Sequence, residues 1–314
     1  MALTDSTTFY GTDAEGFYRT ALTTGVVKNE LSLLPGVKSK IKMASNILGN
    51  ILAADDCSFS AAGEGTLAQK TFEVCDLKIN LSYCVTTFEQ NYLSAQLRAG
   101  SNSDQVMPDS YASFVMASVA EKTASDIEKI ILQGDTATAS YPYSLCDGLN
   151  KKLLADGEVI DVTSSTYSIT SAAVAGVSVA VQAELNRVLS AVPAQVRSKE
   201  DFKILVSQDI AFAYKQSLAS TYYSGGTEGD KQLNYLGFKL VPTSALGAKQ
   251  MIAFAASNVF FITDLASDFE AIRMIPQANI TGARTELFAA NLKVGINYMF
   301  GSEIVFYSAG TVMA

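Results

Sequence analysis

The residues of this 314-residue chain that could carry chemistry are its cysteines, two pairs of acids, a glycine-rich stretch and a serine–lysine spacing. There is no histidine, so a Ser-His-Asp or Cys-His arrangement and an H-E-x-x-H zinc motif are excluded. The stretch GGTEGDK follows a helical segment and lacks the Gly-Lys-Ser/Thr ending of a phosphate loop. Ser39-x-x-Lys42 has the spacing of serine–lysine acylases, but no companion motif of that class accompanies it. Asp55 with Asp56, and Asp264 with Asp268, could pair as acid and base; a turn and a helix start explain them as well. Calcium loops of the D-x-D-x-D-G type are absent. Tyr222 and Tyr223 beside glycines could stack on bases, yet no basic groove surrounds them in sequence, and a subunit junction is the better use. No catalytic residue, cofactor or metal site is expected.

The formal charge of −8 and the lack of a long basic run argue against tight binding of nucleic acid. Lys38, Lys40 and Lys42 are the densest basic cluster and read as the solvated face of an arm or short helix. Of the four cysteines, none forms a C-x-x-C pair. Cys75 and Cys84 have opposite parity and would lie roughly 30 Å apart on one strand, so the thiols are expected to be reduced. Neither a membrane span nor a signal peptide is visible, and residence in a cytoplasm is expected.

The elements that must position these residues follow from periodicity. Residues 1–54 show only a short helical stretch near 12–24 and a Pro35-Gly36 turn, so this segment must lie on something else. From Asp55 to about Gly100 the reading is β-rich. Leu77, Ile79, Leu81, Tyr83 and Val85 alternate with Asp76, Lys78, Asn80 and Ser82, and a short helix near Phe88–Leu97 closes the region. A long helix is predicted over 109–133, after Pro108 and before Gly134, with Tyr111, Phe114, Val115, Val119, Ile127, Ile130 and Ile131 in its stripe. A second helix is predicted over Ser171–Val192, then a buried strand at 202–206, a helix from Asp209, and strands in LGFKLVP, MIAFAA and NVFFITDL. Near the C-terminus Phe288, Ala290, Leu292, Val294, Ile296, Tyr298 and Phe300 alternate strictly, and Glu303–Tyr307 can return as a last strand. The α/β block at about 168–265 therefore reads as a unit inserted between two halves of another.

This order of parts resembles the HK97 fold of tailed-bacteriophage major capsid proteins, an α+β class. The parts are an N-terminal arm (1–54), a protruding E-loop hairpin (55–100), a peripheral domain with its spine helix (101–167), an axial domain (168–265), and a return to the peripheral domain (266–314). The run LGFKLVPTSALGAKQMIAFAASNVFFITDL carries the resemblance best, through a strand, Pro242 and a turn before Gly247, a second strand and the Asn258-to-Asp264 element.

The resemblance implies a structural subunit that assembles with itself into pentamers and hexamers of an icosahedral head enclosing double-stranded DNA. It implies a portal, a separate scaffolding protein (no long N-terminal scaffolding segment precedes the arm), and leaves open a decoration protein. Assembly in the host bacterial cytoplasm and residence in the virion capsid are its expected locations. Inter-subunit contacts are expected from Lys70, Phe72, Leu77, Ile79, Leu81 and Tyr83 on the E-loop, and from Tyr222, Tyr223, Gly225, Gly226 and Gly229 on an axial loop. Some family members join an E-loop lysine to a neighbour's asparagine. Lys70 and Lys78 could serve with Asn279, Asn291 or Asn297, but most relatives do without the bond, and single chains are expected under denaturing conditions. The competing readings are an encapsulin-type nanocompartment shell and, more distantly, a carboxylate-dependent hydrolase.

Overall fold

Strand β13 (Thr285–Tyr298) is the element that joins the most distant parts of the chain. The computed structural model describes residues 7–9, 25, 27–48, 65–84, 108–162, 174–221, 233–264, 272–277, 281–283 and 285–308. Over those residues β13 pairs antiparallel with β5 (Cys75–Cys84), with β12 (Ile272–Pro276) and with β11 (Val259–Thr263). The strict alternation has a physical outcome here: Phe288, Ala290, Leu292, Val294, Ile296 and Tyr298 all enter one core, each at most 4% exposed. Strands β2 (Ser32–Leu34), parallel to β11, and β1 (Thr7–Phe9), antiparallel to β12, complete this sheet.

The spine helix α1 runs Pro108–Gln133, with proline at its first position, where no intrahelical N–H is required. Val119, Ile127 and Ile131 face the same core as β13. Helix α2 (Leu149–Ala155) buries Leu149 and Leu153 beside them.

A second sheet runs in the order β6 (Ile160–Asp161), β14 (Val305–Ser308), β10 (Gln250–Ala255), β7 (Phe202–Ser207), β9 (Phe238–Thr243), β8 (Asn234–Tyr235). Its centre is β7 (Phe202–Ser207), antiparallel to β10 (Gln250–Ala255) and parallel to β9 (Phe238–Thr243). Both faces are covered, as a run of consecutive apolar residues requires. Ile204, Val206, Met251 and Ala253 meet α3 (Val174–Ala191) and α4 (Gln208–Thr221) through Leu185, Val188, Ile210 and Tyr214. Leu205, Ile252, Phe254 and Phe306 join the spine core on the other face.

Three expectations change here. Strand β14 (Val305–Ser308) does not return to the spine sheet but pairs with β10 and with β6 (Ile160–Asp161) in the second one. Strand β11, placed by sequence in the α/β block, belongs instead to the first sheet. The two layers also share a core, because Leu205 and Ile252 touch the same cluster as Ile127. Local periodicity identifies a strand but not its partner, so these assignments were open to error.

The reduced-thiol expectation is also corrected. Cys75 and Cys146 are joined by a disulfide, with Cα atoms 6.0 Å apart and 71 residues between them. Cys84 lies exposed at the far end of β5.

The stretch before β2 straps the two layers together. Glu30 accepts a hydrogen bond from Lys203 at 2.7 Å and another from Lys239. These lysines are register neighbours on β7 and β9. Burial alone would raise the Glu30 carboxyl, but the two ammonium groups hold it below the ordinary value. The Val27 amide donates to Glu128 on the spine at 3.0 Å.

Candidate functional site

Among the described residues, strands β3 (Lys40–Leu48) and β4 (Gly65–Glu73) pair only with each other, through nine register pairs from Lys40↔Glu73 to Leu48↔Gly65. The protruding hairpin thus begins within the segment expected as arm, and β5, expected as E-loop, lies in the spine sheet. The basic residues Lys40 and Lys42 are solvated, as expected, on the extended strand β3 and not on a helix.

The base of this hairpin is fixed to the body by a dense set of contacts. Phe72 is fully buried with Val37 and Ile262, and its ring meets Phe260 edge-on at 5.7 Å. Lys70 reaches Asp156 at 3.2 Å while its ammonium lies 3.6 Å from the centre of the Tyr298 ring. The Tyr298 hydroxyl donates to Asp156 Oδ2 at 2.7 Å. The Asn297 amide donates to the Thr71 carbonyl at 2.9 Å, and the Val74 amide donates to the Ser39 carbonyl at 3.1 Å. A side chain at position 295 would collide with the hairpin: a Cβ on Gly295 would sit 2.4 Å from the Glu73 carbonyl oxygen. β13 therefore carries glycine where the hairpin base crosses it.

The electrostatics of the base are those of a structural lock. Burial alone would raise the Asp156 carboxyl, but the Tyr298 hydroxyl, the Glu158 amide and Lys70 together hold it below the ordinary carboxylate range. Burial, reinforced by Asp156, pushes the Tyr298 phenol up, so it stays a donor. Lys152 gives its ammonium to the Ile296 carbonyl at 2.6 Å, and burial lowers its pKa.

The blade beyond the base has no such support. Leu67, opposite Asn46, is 65% exposed, and Ile41, opposite Phe72 on the other face of the ribbon, is 41% exposed; among the described residues no third strand covers either. A two-stranded hairpin is marginal alone, and such apolar side chains on an unpaired ribbon mark a contact surface.

The site residues expected from sequence divide accordingly. Phe72 is enclosed completely by the chain's own core. Lys70 is engaged within the chain by Asp156 and Tyr298. Leu77, Ile79 and Tyr83 pack on the spine core from β5, while Leu81 is more exposed. Together they line a groove of about 400 Å³ between β5 and α1, whose other wall includes Lys122, Asp126 and Tyr141. Lys78 lies opposite Asn291 on β13, and Asn297 is spent on Thr71. Tyr222, Tyr223, Gly225, Gly226 and Gly229 lie outside the described residues, as do Asp55, Asp56, Asp268 and the helices expected near 12–24 and 88–97. Sequence reasoning missed Ile41, Leu67 and Asp156. The alternation of Lys40-Ile41-Lys42-Met43 was the available signal for Ile41, whereas GTLAQKTFE does not alternate and gave none for Leu67.

Among the described residues no group of three or more acidic or cysteine side chains is placed to hold a metal ion. No helix among them is long and apolar enough to cross a membrane.

No protein-family model matches the chain, and none of the curated proteins does. Solved structures do. A chain of the satellite phage P4 procapsid, which includes the size determination protein Sid, aligns over 95% of this chain and 99% of its own, at 12% identity and TM-score 0.57. A structure of Gordonia phage Cozz aligns over 92% and 87%, at 8% identity and TM-score 0.57. The capsid of cyanophage A-1(L) aligns over 99% and 98%, at 12% identity and TM-score 0.55. At such identities the likeness is one of fold, and it spans nearly the whole of each chain.

Proposed function

From the HK97-like capsid fold that the chain adopts, we infer that it is the major capsid protein of a tailed phage, a non-enzymatic subunit of the head shell. The observation that carries this reading is the hairpin: a rigidly fixed base and a blade with apolar side chains that its own chain leaves uncovered. A neighbouring subunit supplies the missing cover. Contacts of this obligate kind bury about 2,000–5,000 Å², and repetition around a closed shell multiplies them.

On this reading the subunits form pentamers and hexamers, and the 221–231 loop with Tyr222, Tyr223, Gly225, Gly226 and Gly229 lies toward the capsomer centre. Scaffolding and portal proteins join assembly in the host cytoplasm, and the finished shell encloses double-stranded DNA. The net charge of −8 fits a wall that encloses DNA without gripping it.

Expression of the full chain, alone and with the neighbouring head proteins of its phage, followed by negative-stain microscopy, tests the reading. Shells, pentamers or hexamers are expected. A chain that stays monomeric under both conditions overturns it, and shells that hold protein cargo with no nuclease-protected DNA would assign it to a nanocompartment instead.

A further inference from the structure

We propose that Cys75 and Cys146 form an oxidation-driven staple that fastens the hairpin base to the loop behind the spine helix, open as two thiols until a low-molecular-weight disulfide meets the protein. Cys75 opens β5, two residues after Glu73 ends the hairpin. It shares the parity of Leu77 and Ile79 and so points to the spine side of the sheet. Cys146 lies in the 134–148 loop, 5% exposed. The bond thus joins the root of the blade to the element its sheet packs against, across 71 residues of sequence.

The loop does not depend on the bond for its shape. The Gly148 amide donates to the Gly134 carbonyl at 2.8 Å, and the Asp135 amide donates to the Tyr143 carbonyl at 2.8 Å. The Thr136 amide and hydroxyl both donate to Asp147, while Lys151 bridges Asp135 and Asp147 at 2.7 Å each. A Cβ on Gly134 would come within 2.1 Å of the Cys146 carbonyl oxygen, so two chain segments meet here with no room to drift. On the other side Cys75 lies opposite Val294 at the end of the ten-pair ladder with β13. Each sulfur is therefore held beside the other by structure that survives reduction, which makes the bond reversible.

The chemistry balances as two exchanges. Cys75 is the more exposed of the pair, so its thiolate attacks one sulfur of the small disulfide, forming a mixed disulfide and releasing one small thiol. The Cys146 thiolate then attacks the Cys75 sulfur and releases the second small thiol. Two cysteine protons are lost and two small thiols gained. Cys84, nine residues along β5 and roughly 30 Å away, cannot take either part.

The timing of closure, after the protein leaves a reducing compartment, rests on the capsid reading; the bond itself does not. The full chain is isolated anaerobically with reductant, divided, and half is treated with oxidised glutathione. Both halves are alkylated, peptide-mapped by mass spectrometry and melted in the same oligomeric state. The expected result is a Cys75–Cys146 peptide only in the treated half and a melting temperature about 5–10 °C higher. Reductant reverses both, and Cys146→Ser shows neither. No linked peptide, linkage through Cys57 or Cys84 instead, or a linked protein with an unchanged melting temperature would overturn the proposal. None of these outcomes depends on whether shells form.

Discussion

Strands β4 and β5 are neighbours in sequence, separated by Val74 alone, yet they meet opposite fates. β5 finds ten register partners on β13 and lays Leu77, Ile79 and Tyr83 against the spine core. Among the described residues β4 finds only β3, and Leu67 stands 65% exposed. The difference lies in what the chain can reach. β5 is satisfied within one subunit, whereas the β3–β4 blade exposes scattered apolar side chains whose cover, on the proposed function, is another copy. Alternation predicts a buried face; it does not say which molecule buries it.

The comparison can be broken first at the point where the two strands divide. Phe72→Ala empties the fully buried site at the hairpin base and should cost about 3–5 kcal/mol in denaturant unfolding of the subunit. A loss below about 1 kcal/mol would mean that the base is not fastened as described.

Tyr298→Phe is the next largest change. It removes the hydroxyl donated to Asp156 and should cost about 1.5–3 kcal/mol near neutral pH, since the acceptor is charged. The effect should depend on pH. The folded Asp156 pKa lies below the ordinary 3.8, so its contribution is complete above that value and is lost as pH falls toward the folded pKa. Unfolding curves taken from neutral pH down to about pH 3 should therefore converge for the two proteins on the acid side. A constant gap would assign the stabilisation to the hydroxyl's contact with the Lys152 carbonyl at 3.1 Å, and not to the charged Asp156.

Glu30→Gln probes a contact outside the hairpin and sharpens the contrast by showing what an internal tie is worth. It leaves Lys203 and Lys239 facing a neutral amide and should cost about 1–2 kcal/mol, a figure discounted for the partial exposure of Lys239. Here too the folded pKa is lowered, so the loss should fade as pH drops through the carboxylate range.

Much of this organisation was legible in the sequence, and the rest was not for identifiable reasons. The spine helix was marked by Pro108 at one end and Gly134 at the other, and β13 by a period-two run too long to be accidental. Those are local signals. The hairpin began earlier than expected because Lys40–Leu48 contains Ser45 and Asn46 on a ribbon with no buried face, so its alternation was weak. β14 and β11 were recognisable as strands, but their sheets depended on partners more than 30 positions away in β13 and more than 50 in β10. The disulfide was invisible because Cys146 sits in a loop 71 residues from Cys75, and only tertiary packing brings the two together. Phe72 was chosen as a contact residue for its place on a hairpin, and only the crossing of β4 over Phe260 and Ile262 buries it.

The smallest expected effect on the subunit is the largest on the assembly. Ile41→Ser with Leu67→Ser changes only exposed side chains of the hairpin, one opposite Phe72 and one further out, and should shift unfolding by no more than about 0.5 kcal/mol per site. Sedimentation velocity of this double variant beside the unaltered chain, under conditions that support assembly, is the most direct test that the blade is covered by another copy. The account predicts capsomers or shells for the unaltered chain and folded monomers for the variant; equal assembly by both would contradict it.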